Sequence, residues 1–148
     1  MKRLIVVLML IFLSFSFSTA AAERYGLYFE ADLNKLIFES GDQLEVSMLL
    51  INSYEEKKLL EFSSSKLYEI TITNRAGDIV YKWSDDMVFT QAFQEMSLEA
   101  GGIMEFSEST LLSDYEPGIY FLRTEFLAEE HNRSSESIFF VKTRSKLL

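Results

Sequence analysis

Three observations predict an all-β, antiparallel sandwich. Turn-forming clusters recur about every ten residues, which suits roughly seven to nine strands. The runs between them are short and alternate apolar with polar side chains, and no long stretch keeps a helical apolar stripe. The cleanest run sets Tyr68, Ile70 and Ile72 against Glu69, Thr71 and Thr73, as expected of a sheet with one buried and one wet face.

The first residues do not read as part of the fold. Lys2 and Arg3 precede an apolar run from Leu4 to Leu13, and a small-residue cluster, Thr19-Ala20-Ala21-Ala22, follows. That layout is a secretory signal, with Ala20 and Ala22 as the small residues needed for a cut ahead of Glu23. Residues 1–22 are therefore expected to be a signal peptide and 23–148 a single domain. The apolar core is shorter than the roughly 20 residues that span a bilayer, so membrane contact is expected only through this segment, if it stays uncut.

From Glu23 onward, Tyr25 to Ala31 and Lys35 to Glu39 are short β-type runs, broken by the turn Ser40-Gly41-Asp42. Leu44, Val46, Met48 and Leu50 then share one face of a strand ending at Asn52. Leu49 and Ile51 make its far end apolar on both faces, which marks a central strand. A polar turn over Ser53 to Glu56 leads to Lys58 to Phe62, and Ser63-Ser64-Ser65 breaks the chain before the alternating run at 67–74. Asn74-Arg75-Ala76-Gly77-Asp78 is a hairpin connection, and Ile79 to Trp83 returns. Alternation puts Ile79, Tyr81 and Trp83, the only tryptophan, on one side, which makes Trp83 a candidate core anchor.

Ser84-Asp85-Asp86 is a turn of short polar side chains, after which Phe89, Ala92 and Phe93 are expected to resume burial. Phe89, Ala92, Phe93 and Met96 also fit the spacing of a helical face capped by Asp85 or Asp86. The β-rich surroundings favour an extended segment. Leu98 to Gly102 is a turn, Ile103 to Phe106 a strand, and Ser107 to Glu116 a polar connection with Leu111 and Leu112 available to plug one end of the core. Pro117-Gly118 opens a strand from Ile119 to Ala128 with Tyr120, Leu122, Thr124 and Phe126 on one face. Glu116 to Tyr120 has the pattern of the tyrosine corner of immunoglobulin-like sandwiches, in which the Tyr120 hydroxyl would bond back to backbone. A charged loop over Glu129 to Ser135 precedes a last strand, Ser137 to Lys142.

Composition narrows the function. At 148 residues, 48% hydrophobic and 25% charged, the chain reads as globular. It has no cysteine, which excludes thiol nucleophiles, thiolate metal sites and a disulfide-stapled inhibitor. The formal net charge is −9, and loss of Lys2 and Arg3 with the signal takes two positive charges more, to −11. Such a domain repels nucleic acid and anionic lipid, so a protein partner is expected. The only histidine, His131, sits between Glu130 and Asn132 in a polar loop with no nucleophile in its pattern. The acid pairs Glu55/Glu56, Asp85/Asp86 and Glu129/Glu130 lack the spaced oxygen ligands of a calcium loop. Gly101-Gly102 follows no strand-to-helix pattern, as a phosphate loop would require. No catalytic, cofactor or metal site is expected, and the chain reads as a non-enzyme. Binding remains, with Ser84, Asp85, Asp86, Met87, Val88 and Phe89 as the candidate protein-binding loop. The same residues would also serve merely to close one end of the core.

Leu60-Glu61-Phe62-Ser63-Ser64, Tyr68, the Gly77 hairpin, Val80 to Ser84 with Trp83, Phe89-Thr90-Gln91, Leu98 with Gly101, and Pro117-Gly118-Ile119-Tyr120 stand in the order and spacing of a known family. From about Leu44 to Leu127 the chain resembles the bacterial intracellular proteinase inhibitors, the BsuPI domain. The resemblance implies an immunoglobulin-like sandwich that inhibits serine proteases, notably subtilisin-like ones, without metal or cofactor. Phe62, Tyr68, Gly77, Trp83, Phe89, Thr90, Gln91, Gly101, Gly118 and Tyr120 carry over as signature positions with a structural role. The export signal departs from the family's intracellular setting, Ser64-Ser65-Lys66 replaces a Ser-Gly-Gln type turn, and Leu111 and Leu112 stand where a further tryptophan is usual. The expectation is an exported, cofactor-free protease inhibitor. Its rival is a structural or adhesive envelope module that inhibits nothing.

Overall fold

The computed structural model describes residues 26–144, so the expected signal over 1–22, its cut after Ala22, and Tyr25 lie outside the described residues. Ten strands run in the order β1 Leu27–Leu33, β2 Ile37–Glu39, β3 Gln43–Asn52, β4 Lys58–Phe62, β5 Tyr68–Asn74, β6 Ile79–Lys82, β7 Gln94–Leu98, β8 Ile103–Leu111, β9 Gly118–Phe126 and β10 Arg133–Lys142. They form a three-stranded sheet β1-β3-β8, a five-stranded sheet β2-β10-β9-β5-β6 and a β4-β7 pair. The all-β sandwich expected from the sequence is present.

Alternation explains where the core lies. Leu44, Val46, Met48 and Leu50 of β3 are buried, and β3 is central between β1 and β8. Facing them are Ile70 and Ile72 of β5, Tyr120 and Leu122 of β9, and Phe139 and Val141 of β10. A second cluster gathers Leu27, Leu50, Leu60, Phe62, Leu98, Phe126 and Ala128, where the β4-β7 pair closes one end. Phe29 and Phe106 pack against both clusters. Removing each large apolar side chain from water stabilises the fold by about 1.5–3 kcal/mol. The Tyr120 hydroxyl donates to the Glu116 carbonyl oxygen at 2.7 Å, the backbone bond expected of it.

Several elements differ from expectation for identifiable reasons. One pairing is parallel, β2 with β10. Phe38 must reach the core, where its ring meets Phe139 edge-on at 5.5 Å, and this lays the short β2 along the edge of β10. In the β5-β6 hairpin, Ile72 pairs with Tyr81 but Thr73 pairs with Ile79. The bulge leaves Val80 unmatched and throws Ile79 onto the outer face, 62% exposed, while Tyr81 packs against the core. Ile79 and Tyr81 therefore do not share a side, since a bulge shifts alternation by one residue.

Trp83 has left the strand, and with Ser84, Asp85 and Asp86 it forms a 3-10 turn. Its indole is half-buried rather than central. Ala92 and Phe93 do not resume burial, Phe93 being 56% exposed. The helical reading of this segment fails as well, because β7 begins at Gln94.

Ser107 to Leu111 is strand, not connection, paired along β3 as far as Gln43 opposite Leu111. This edge strand carries polar side chains, which discourages pairing with other chains. Leu112 alone plugs the core, fully buried, while Leu111 is 62% exposed. Strand β9 stops at Phe126, although Ala128 stays buried, and β10 starts four residues before Ser137 because Arg133 pairs opposite Phe126.

Candidate protein-binding loop

Strand β6 delivers the chain into the 3-10 turn Trp83–Asp86, whose last bond runs from the Met87 N–H to the Ser84 carbonyl at 3.2 Å. Met87 itself is extended, with φ −114° and ψ 152°. The chain then crosses without regular structure to Gln94.

Two polar clamps hold the ends of this crossing. At the first, the Ser84 backbone N–H donates to Glu69 Oε1 at 3.2 Å, and the Ser84 hydroxyl donates to Glu69 Oε2. Lys66 Nζ is paired with the same Glu69 oxygen and lies 3.2 Å from Ser84 Oγ. At the second, the Thr90 N–H donates to Ser65 Oγ at 2.9 Å and the Ser65 N–H donates back to the Thr90 carbonyl at 3.0 Å.

An aromatic floor runs between the clamps. Trp83 packs on Tyr68 at 4.6 Å and on Phe89 at 5.5 Å between ring centroids. Tyr68 continues to Phe106 at 5.1 Å and Phe106 to Phe126 at 6.3 Å, so the floor connects the loop to the core. The Tyr68 hydroxyl donates to Glu108. Burial, with the Glu108 carboxylate beside it, pushes the Tyr68 phenol well above its ordinary value, so it remains a donor.

The six residues grouped by sequence thus divide. Ser84 is fixed by Glu69, and Phe89 lies on Trp83. Asp85, Asp86, Met87 and Val88 project between them, with Met87 46% and Val88 99% exposed. Sequence reasoning missed the clamps, Ser65, Lys66 and Glu69. Alternation placed Glu69 on the wet face, yet it is only 5% exposed because the loop covers it. The available signal was a carboxylate three residues after the lysine of a serine-rich turn, which no periodicity measures.

The remaining signature positions are spread over the fold. Phe62 is buried, edge-on to Phe126 at 5.4 Å. Gly77 closes the hairpin at φ 90° and Gly101 a turn at φ 69°, backbone that glycine adopts readily. Gly118 begins β9, Tyr120 is buried with its corner bond made, and Gln91 is exposed.

The chemistry of the first clamp is holding rather than reacting. Burial pushes the Glu69 carboxyl up, but the hydrogen bonds from Lys66 and Ser84, the Lys66 charge and the Ile70 N–H outweigh it and hold it below the usual carboxylate range. His131 follows β9, its N–H bonded to the Ala128 carbonyl at 3.2 Å. Among the described residues, no group of three or more histidine or acidic side chains is arranged to hold a metal ion.

The sequence profile of the intracellular proteinase inhibitor family, BsuPI, matches residues 31–131, from within β1 to the turn after β9. This chain belongs to that family. As a BsuPI protein it carries the loop and both clamps inside the matched region. No curated protein sequence matches the chain. Among solved structures, this BsuPI chain is similar to Spo0M, a sporulation control protein from Bacillus subtilis, at 9% identity and a TM-score of 0.54, over 80% of this chain and 50% of the other. It is also similar to a family 123 glycoside hydrolase from Clostridium perfringens at 15% identity and a TM-score of 0.52, over 82% of this chain and 28% of the other. The chain therefore spans half or less of these proteins, and the likeness is one of fold.

Proposed function

We propose that this protein is an exported inhibitor of a serine protease of the subtilisin-like class, which it blocks by placing the loop over Asp85 to Phe89 in the enzyme's cleft. The observation that carries this reading is the pair of clamps at Ser84 and Thr90, within a chain whose family is one of proteinase inhibitors. A protease cleft takes substrate as an extended strand, and Met87 already has that conformation. Ordering entropy lost on folding is not lost again on binding. Occlusion needs no metal or cofactor, and a tight complex would cover about 800 Å² on each partner, within reach of this loop and its neighbours.

Export rests on the Lys2-Arg3, Leu4 to Leu13 and Ala20 to Ala22 layout, which would place both inhibitor and target outside the cytoplasm. A second reading, an envelope-binding module, draws on the outer face of the five-stranded sheet. There Ile37 and Phe140 are paired and exposed, as are Phe121 and Ile138.

The test is titration of an active-site-quantified subtilisin-like protease with the purified protein, following residual activity and chain integrity. Stoichiometric loss of activity, with the chain intact or cut at a single bond, is expected. Full activity at excess protein would sink the inhibitor reading for this protease class and favour the envelope module. Protein recovered outside the cytoplasm should begin at Glu23.

A further inference from the structure

Asp85, Asp86, Met87 and Val88 are all exposed between the clamps, and of the apolar pair Val88 is the one that the fold leaves almost wholly in water. Val88 is 99% exposed, whereas Phe89 after it lies on Trp83 and Thr90 is bonded twice to Ser65. A β-branched side chain has few χ1 states to lose on capture, and a valine in water gains from any apolar enclosure. We infer that Val88 is the residue this loop delivers into the primary specificity pocket of its target, so that the protein selects proteases whose pocket is apolar and passes over those whose pocket carries a charge. This inference rests on the inhibitor reading above and names the contact that gives it specificity.

The same geometry assigns the presented bond to Val88–Phe89 and explains why attack there would stall. The enzyme's serine oxygen would bond to the Val88 carbonyl carbon as the bond to the Phe89 nitrogen breaks, and the hydroxyl proton would pass to that nitrogen. In an ordinary substrate the new amine diffuses away. Here Phe89 packs against Trp83 with ring centroids 5.5 Å apart and Thr90 is tied to Ser65 at 2.9 and 3.0 Å, so the amine remains beside the acyl carbon. Re-formation of the peptide bond, with return of the proton to serine, then competes with water by proximity. Met87 on the other side is extended and ends the 3-10 turn whose Ser84 is held by Glu69, so both sides of the bond are positioned by the body of the protein.

The test is inhibition of three serine proteases, one with a broad apolar pocket, one with a small apolar pocket and one selecting basic side chains, by the purified wild-type protein and by Val88→Asp and Val88→Lys. Wild type should inhibit the apolar-pocket enzymes and spare the third. Val88→Asp should weaken that inhibition at least ~10- to 100-fold, the worth of burying a valine, with an unchanged thermal melt. Val88→Lys should move inhibition toward the basic-selective enzyme. Undiminished inhibition by Val88→Asp would overturn the assignment of Val88 while leaving the inhibitor reading intact, whereas no inhibition of any enzyme by wild type would remove both. As a second measurement, mass analysis of wild type after long incubation should find its first cut between Val88 and Phe89. A first cut at another bond would overturn the inference without calling on any variant.

Discussion

The carboxyl of Glu69 is reached by the Ser84 N–H and hydroxyl, the Lys66 ammonium and the Ile70 N–H, although it sits in a strand whose alternation points it toward water. Its folded-state ionisation lies below the usual carboxylate range. The stability it contributes is therefore fully present above the unfolded glutamate value of about 4.3 and is lost as pH falls through the lower folded value. Glu69→Gln should cost about 1.5–3 kcal/mol at neutral pH, the range for hydrogen bonds to a charged group. The gap between wild type and variant should close as the pH falls below the ordinary glutamate range and the wild-type carboxyl takes up its proton. Asp42 and Glu56 are also held low, Asp42 by the Glu39 N–H and Lys35, and Glu56 by Lys58, but both are present in either protein and cancel in the difference. Denaturant unfolding of the two proteins at both acidities measures this. Equal stability at neutral pH, or a gap that persists into acid, would show that the clamp contributes nothing through its charge.

Elements were legible in the sequence where their inward residues are apolar. Strands β3, β5 and β9 announce themselves through Leu44 to Leu50, Ile70 and Ile72, and Tyr120 to Phe126, because burial and alternation coincide there. The second half of β8 was not legible. Its inward residues at that end are Glu108, which accepts the hydrogen bond of the Tyr68 hydroxyl, and Thr110, which bonds with Tyr81. A polar inward face reads as a loop to any rule that counts apolar side chains. The bulge at Val80 escaped for a different reason, since a one-residue shift in pairing depends on the partner strand and not on β6 itself. The candidate loop lies exposed between β6 and β7, but the clamps that hold it come from the β4–β5 connection and from β5, which only the fold brings near.

Asn52, read from sequence as no more than a strand end, is a comparable joint. Its side-chain amide is buried, donating to the carbonyls of Glu56 at 2.9 Å, Leu98 at 3.0 Å and Glu99 at 2.9 Å, while its oxygen accepts the Tyr54 N–H at 3.0 Å. It ties the end of β3 to the turn that follows β7. Asn52→Ala should cost about 2–4 kcal/mol, because it strands several buried backbone groups. Chemical denaturation checks it, and a loss under about 0.5 kcal/mol would mean that water replaces these bonds without penalty.

At the scale of the whole molecule, the loop divides the chain between β6 and β7, and every sheet draws strands from both sides of that division. Strands β1 and β3 pair with β8, β5 lies between β6 and β9, β2 lies on β10, and β4 pairs with β7. The two core clusters are shared in the same way, Leu50 and Phe62 packing with Leu98 and Phe126, and Val46 and Ile72 with Leu122 and Phe139. Severing the loop would thus make the molecule a heterodimer of two interlocked fragments with most of its interior intact. Such a nicked form should run as one species under native conditions and as two in denaturant, and the halves made separately should complement each other on mixing. A scission that frees neither piece gives the protein a second life after attack, since what leaves the protease is still a folded body.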